Sequence, residues 1–278
     1  METQDGVRIR SDACGLDELV VPYDVDDSVR AQLVLGESWP RRWSATWRFD
    51  GDEVAWPVRD LSAVPVLSSQ PVRAFTWRAR QRHRPGLEYM VSTGRHHGFE
   101  SLEEDMLLLA LDFVTVAEVL PQPFRLSFED VGGRVEHTPD LLAVMPDGGR
   151  WLFDVRPRRL IQKADAVKFA ASAEAAAASG WRYTVVSGWH PHVQSVLDQL
   201  SAQRRPLQDP LALQDQVEAA AALSPSIRFG DLVNKTSLPA VARAHAVHLL
   251  WHRRLGVDLG RPLGDSSLVW SVRDRMEP

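Results

Sequence analysis

Three acids and a cation in this chain are placed so that they could handle a phosphate. The stretch from His137 to Arg156 opens on Thr138-Pro139-Asp140 and closes on Asp154-Val155-Arg156. Between them Pro146-Asp147-Gly148-Gly149 is a strong turn signal, because Pro presets the first turn angle and Gly tolerates positive φ. A hairpin centred near Asp147 sets Asp140 opposite Asp154, and directly opposed residues share a face. Arg156, two residues beyond Asp154, shares that face as well. Two neighbouring carboxylates repel unless something cationic lies between them, so the spacing points to a divalent metal. Hydrolysis of a phosphodiester near neutral pH uses that combination, with a metal to activate water and neutralise charge and a nearby cation to assist. Glu104 offers a further acid. Ser101-x-x-Glu104 also matches a capping box, which would give the same glutamate a purely structural task.

A helix and a set of strands must carry these residues. Leu102, Met106, Leu109, Ala110 and Phe113 recur at helical spacing, and Leu107, Leu108 and Leu111 widen the stripe until the helix is largely buried. Pro121-Gln122-Pro123 resets the chain, and 124–128 alternates as a half-buried strand. Gly132-Gly133 turns it into the hairpin, with strands expected over 134–144 and 150–155, and Pro157 ends the second. Residues 163–179 form an Ala-rich helix with Gly180 at its stop, and a strand over 181–187 comes next. Helix, three strands, helix, strand is an α/β pattern whose last unit needs a right-handed crossover.

Around this centre the chain changes character. Residues 1–30 hold eight acidic and three basic side chains, which reads as a negative, mobile arm. Trp39, Trp43, Trp47 and Trp56 belong to a small β-rich core, with a hairpin over 47–56 about Asp50-Gly51-Asp52. Residues 71–98 set Arg73, Arg78, Arg80, Arg82, Arg84 and Arg95 against one acid, Glu88, with aromatic residues interleaved. Such a run suits phosphate contact, or alternatively pairing with the acidic arm. Residues 201–214 read as a linker. Beyond it come a short helix at 227–233, a longer one from Pro239, and two short strands about a turn at 260–264, the outline of a winged helix that binds DNA or a partner protein.

The totals exclude several classes. With 278 residues, 44% hydrophobic and 25% charged, the composition is that of a soluble globular protein. Cys14 is the single cysteine, which rules out an intramolecular disulfide and a cysteine-rich zinc site. No apolar run approaches the roughly 18–20 residues of a spanning helix, and the acidic N-terminus is no signal peptide, so no membrane role and a cytoplasmic setting are expected. A net charge of −5 argues against a uniformly basic nucleic-acid binder. His190-Pro-His192 lacks a partner acid or thiol and reads as a loop. His245, His248 and His252 share a helix face without a matching acid, so zinc is not expected there.

Phe99-Glu-Ser-Leu-Glu-Glu104, Gln122-Pro123, Thr138-Pro-Asp140 and Asp154-Val-Arg-Pro157, in that order, resemble the TnsA-type endonuclease subunits of heteromeric transposases. The strand after Gly180, Leu249-Leu-Trp251 and Val257-Asp-Leu are similar to that family too. The resemblance covers about 71–270 and adds little over the first 70 residues. It implies a restriction-endonuclease-like, PD-(D/E)xK, α/β core over 89–200. An acidic arm and Trp-rich β-containing region over 1–88 precede it, and a linker with a small winged-helix-like domain over 201–278 comes after it. It further implies a Mg²⁺-dependent DNA endonuclease, with Mn²⁺ as substitute, hydrolysing the non-transferred strand at the 5′ ends of a bacterial mobile element. Its partners would be double-stranded DNA, a DDE-type TnsB-like transposase subunit and a TnsC-like AAA+ regulator, and it would join the nucleoid when bound to DNA.

By the same resemblance Glu104, Asp140, Asp154 and the Val155 carbonyl face the metal. Arg156 stands where the family has lysine, and an arginine keeps the charge but stays protonated and cannot act as a base. Gln122, Lys163 and Lys168 are auxiliary candidates. Arg78, Arg80, Arg82, Arg84, Arg95, Arg158 and Arg159 are the expected DNA contacts. Two rival expectations are a stand-alone restriction or repair nuclease and an inactive DNA-binding or assembly module on the same fold.

Overall fold

The computed structural model describes residues 8–73 and 85–272. The architecture is mixed α/β, and the chain divides into two compact units, Val21–Gly188 and a second made of Met1–Val20 with Trp189–Pro278. Through the first unit run β1 (Val20–Pro22), α1 (Asp27–Arg30), α2 (Trp39–Arg42), β2 (Ser44–Phe49), β3 (Asp52–Pro57), β4 (Gly86–Met90), β5 (Arg95–Phe99), α3 (Leu102–Phe113), β6 (Glu118–Pro121), β7 (Arg125–Asp130), β8 (Gly133–His137), β9 (Leu141–Val144), β10 (Arg150–Val155), α4 (Lys163–Ala178) and β11 (Arg182–Trp189). They form a five-stranded sheet in the order β1-β11-β10-β9-β6, a four-stranded sheet β3-β2-β7-β8 and the β4–β5 hairpin.

The β9–β10 hairpin has the register its turn implies. Val144 pairs with Arg150 and Leu141 with Phe153, and the ladder ends there with Asp140 and Asp154 as the next residue on each strand. Gly148 takes φ +83°, the left-handed conformation a glycine adopts without penalty. Upstream, the single strand expected over 134–144 is two. Its first half, β8, pairs with β7 in the four-stranded sheet, and its second half, β9, pairs with β10 and β6 in the other. Thr138-Pro139-Asp140 is the crossing, and Pro139, lacking an N–H, could not have continued a ladder there. The third strand of the site-bearing sheet is β6, which the sequence hid among prolines.

Helix α3 begins as its capping box dictates, with Ser101 Oγ accepting the Glu104 N–H at 3.2 Å. Every residue from Leu107 to Phe113 is buried, as its broad apolar stripe requires. Helix α4 makes the crossover that joins β10 to the parallel β11. Its alanines let it lie close to the sheet, where Ala170, Ala171, Ala175 and Ala176 pack with Leu142, Leu152 and Trp181. Gly180, at φ +69°, ends it. The tryptophans are core: Trp43 and Trp47 are fully buried among Phe124, Phe128 and Leu126.

The second unit carries α5 (Val193–Ser201), α6 (Leu213–Ala222), β12 (Ile227–Arg228), α7 (Phe229–Val233), α8 (Pro239–Trp251), β13 (Leu255–Val257) and β14 (Leu268–Ser271), with the strands in the order β12-β14-β13. Helix α6 was masked in the sequence by its alanines. Residues 8–19 are no free arm. Ile9, Cys14, Leu16 and Leu19 are buried, the Ser11 N–H donates to the Val257 carbonyl at 2.9 Å, and the Leu259 N–H to that of Ile9 at 2.8 Å. Their apolar side chains outweigh the acids beside them. At the C-terminal end of α8 two histidines meet the linker: His248 Nδ1 lies 2.7 Å from the Gln203 carbonyl and His252 Nε2, just past the helix, 3.0 Å from that of Arg204.

These units cut the chain differently from the segments 1–88, 89–200 and 201–278. Strands β2 and β3 share a sheet with β7 and β8, so the Trp-rich region is built into the same unit as the hairpin, while α5 belongs with the later helices. Among the described residues no helix is long and apolar enough to cross a membrane.

Candidate active site

Asp140 sits where the chain passes from one sheet to the other. Its main chain is fixed on both sides, the N–H donating to the Phe153 carbonyl at 3.0 Å and the carbonyl accepting from the Gln122 N–H at 2.8 Å. Its carboxylate Oδ2 accepts the Val155 N–H at 2.7 Å. The side chain is thus tied to the end of β10, next to Asp154. Burial first, then the charges of Asp154 and Glu104, push the Asp140 carboxyl well above the usual carboxylate range, against the pull of the Val155 N–H and Arg73.

Asp154 shares its strand face with Leu152 and so points beneath α4, where it is 1% exposed. A carboxylate in that position needs donors, and it has two. His137 Nε2 lies 2.7 Å from Oδ1, and the Tyr183 hydroxyl donates to Oδ2 at 2.7 Å. Burial, and then the Asp154 charge, raise the Tyr183 phenol well above its ordinary value, so it stays a donor. Sequence reasoning passed over both partners, though His137 stands only three residues before Asp140. The available signal was the Leu152-x-Asp154 alternation, which turns that acid inward and demands buried donors.

Glu104 performs the capping task. Its Oε2 accepts the Glu100 N–H and its Oε1 the Ser101 hydroxyl, each at 2.9 Å. It is nonetheless part of the acidic group, since its charge is felt at Asp140. Burial raises its own carboxyl, the two hydrogen bonds oppose this, and Arg73 lowers it further. Arg73 is the cation the structure brings to these acids. Its Nε donates to Gln122 Oε1 at 2.9 Å and its Nη2 to Glu100 Oε2 at 2.7 Å. Gln122, 1% exposed, adopts φ +46°, a left-handed backbone rare for a non-glycine residue and characteristic of functional sites.

Arg156 lies just past β10 and turns to Asp165 on α4, with Nε 3.7 Å from its Oδ2. Among the described residues that is its ion-pair partner, so the shared face read from alternation is not used for contact with Asp154. Arg158, Arg159 and Lys163 are exposed beside it and Lys168 is half-buried; Arg158 rests over the Tyr23 ring at 6.0 Å. Arg95 pairs with Glu118. Arg78, Arg80, Arg82 and Arg84 lie outside the described residues.

Among the described residues, no three His, Cys, Asp or Glu side chains are gathered around one point that could hold a metal ion. The donor chemistry nevertheless suits a hard divalent ion. The acids at hand are all carboxylates, the donors such ions take, and the charges of Asp154 and Glu104 add to burial in raising Asp140, a push that a cation among them would relieve in part. Glu104, Asp140 and Asp154 would hold such an ion.

No known family model matches the chain, and no curated protein matches it either.

Proposed function

We propose that the chain is a divalent-metal-dependent DNA endonuclease, the TnsA-like subunit of a heteromeric transposase. One observation carries the reading: α3, β6, β9, β10, α4 and β11 succeed one another with β7–β8 inserted, in the sheet order β11-β10-β9-β6, and Asp140 and Asp154 lie at the open end of the β9–β10 hairpin. The PD-(D/E)xK nuclease core has that order, with β10 and β11 parallel and its acids at that place. In the second unit α6, β12, α7, α8, β13 and β14, with strand order β12-β14-β13, support a winged-helix domain.

A bound Mg²⁺ or Mn²⁺ would supply an activated water and charge neutralisation at phosphorus. Asp140, locked by the Val155 N–H, presents its free oxygen, and Glu104 is kept in place by its cap. Arg73 and the exposed Arg158, Arg159 and Lys163 bind backbone phosphates, and each such contact makes affinity fall with salt. The substrate is double-stranded DNA at the 5′ ends of the element in the bacterial cytoplasm, with a DDE-type TnsB-like subunit and a TnsC-like AAA+ regulator as partners. The test is nicking of a plasmid carrying the element ends, with the transposase partner and Mn²⁺. Asp140→Ala should abolish it, and undiminished nicking refutes the reading.

A second reading, a core kept for DNA binding and assembly without cleavage, draws on the pairing of Arg156 with Asp165 and of Asp154 with His137 and Tyr183. It requires that Mn²⁺ leave the melting temperature unchanged.

A further inference from the structure

The two donors on Asp154 reach it from different sheets. His137 is the last residue of β8, and Tyr183, on β11, stands in register with Leu152 of β10. A carboxylate has about four lone-pair positions. One bond to each oxygen fixes the plane of the group and leaves positions on both oxygens unused. Packing alone does not call for either residue, since an apolar side chain at 137 against Phe169 or a Phe at 183 would fill the same space. We propose that His137 and Tyr183 are positioning residues that fix the direction in which Asp154 offers its remaining lone pairs, and thereby set the affinity of the centre for a divalent cation.

This inference rests on the reading of the acidic group as a cation-binding nuclease centre. Partners that orient a ligating carboxylate act without touching the ion, and their removal lowers affinity while the charge of the site is unchanged. His137 lies three residues before Asp140, joined to it by Thr138-Pro139, so one short, stiff segment carries both an acid of the centre and a clamp of its neighbour. The device therefore couples the crossing between the sheets to the site itself.

The test uses the full chain and Mn²⁺ alone, titrated by calorimetry, with Tyr183→Phe and His137→Leu as replacements that remove each donor. Each should weaken Mn²⁺ binding by about tenfold or more. Tyr183→Phe made in an Asp154→Asn background should add nothing, because the partner it acts through is already changed. A merely structural role would lower the melting point in EDTA and leave Mn²⁺ affinity as it was. Unchanged affinity in both variants, with wild type binding and Asp140→Ala not binding, overturns the inference and leaves the nuclease reading standing. Should Tyr183→Phe fail to fold, His137→Leu decides. If wild type itself binds no Mn²⁺, the nuclease reading falls and this inference with it.

Discussion

Replacing Asp140 by asparagine should make the metal-free protein more stable, although it removes the residue on which cleavage most depends. The wild-type carboxyl is pushed up by burial and by the charges of Asp154 and Glu104. Each pK unit of such a shift corresponds to about 1.4 kcal/mol. An uncharged side chain at this position escapes that cost. An asparagine keeps the bond from the Val155 N–H through its Oδ1 and turns an amide donor toward the other acids. For a unit of this size about 1 kcal/mol moves the melting point by about 2–4 °C.

The direction of the shift sets the sign with pH. A carboxyl whose folded value is raised binds more protons when folded, so wild-type stability falls as pH rises from the normal carboxylate range through the raised value. Asp140→Asn should therefore gain over wild type at pH 8 in EDTA and gain nothing at pH 4, where both forms are neutral. Added Mn²⁺ should reverse the order at pH 8 by stabilising wild type alone. Calorimetric melts of both proteins under these conditions decide it. A variant less stable than wild type at pH 8 in EDTA would refute the account of Asp140 as a strained, uncompensated acid.

Arg73→Ala should cut Mn²⁺-dependent nicking by about a hundredfold, the loss typical of one charge-stabilising donor, whereas Arg156→Ala, already turned to Asp165, should cost far less. Asp112 accepts the N–H groups of Val91 and Ser92 at 3.0 and 2.7 Å, so Asp112→Ala strips the β4–β5 turn of both acceptors. A loss of about 2–3 kcal/mol is expected in urea unfolding. Burial, the largest cause, and the nearby His252, His245 and Arg254 hold His248 below its usual pKa. Stability from neutral His248 is present above the normal histidine value and lost as pH falls. Protection of the amides near Gln203, corrected for the intrinsic exchange rate, should fall between pH 7.5 and 5.5 in wild type, and the difference should shrink in His248→Gln.

Local chemistry was readable in the chain, and pairings across long separations were not. The turn about Asp147 determined the β9–β10 register, Ser101 and Glu104 the start of α3, Gly180 the end of α4, and these needed only neighbours. The division of 134–144 between two sheets was not readable from alternation, because Leu141-Leu142-Ala143-Val144 is apolar on both faces and continues from β8 without a change of period. Tyr183 meets Asp154 through the parallel register of β11, which is set across a whole helix. Period two set Arg156 on the face of Asp154, yet its side chain pairs with Asp165, a competitor that spacing along one strand does not reveal. Helix α6 lacked an apolar stripe for the plainest reason: alanine, good at forming helices, marks no face strongly.

The second unit has a consequence for how the molecule is made. The Val257 N–H closes on the Ser11 hydroxyl at 2.8 Å across 246 residues. At a synthesis rate of about 5–20 residues per second, the strand that receives Ile9 and Ser11 leaves the ribosome about 12–50 s after they do. Through that interval Ile9, Cys14, Leu16 and Leu19 have no core to enter, while Val21–Gly188 can already fold. Ser11 must wait for a partner made 246 residues later, so this unit closes only after Val21–Gly188 has had time to fold.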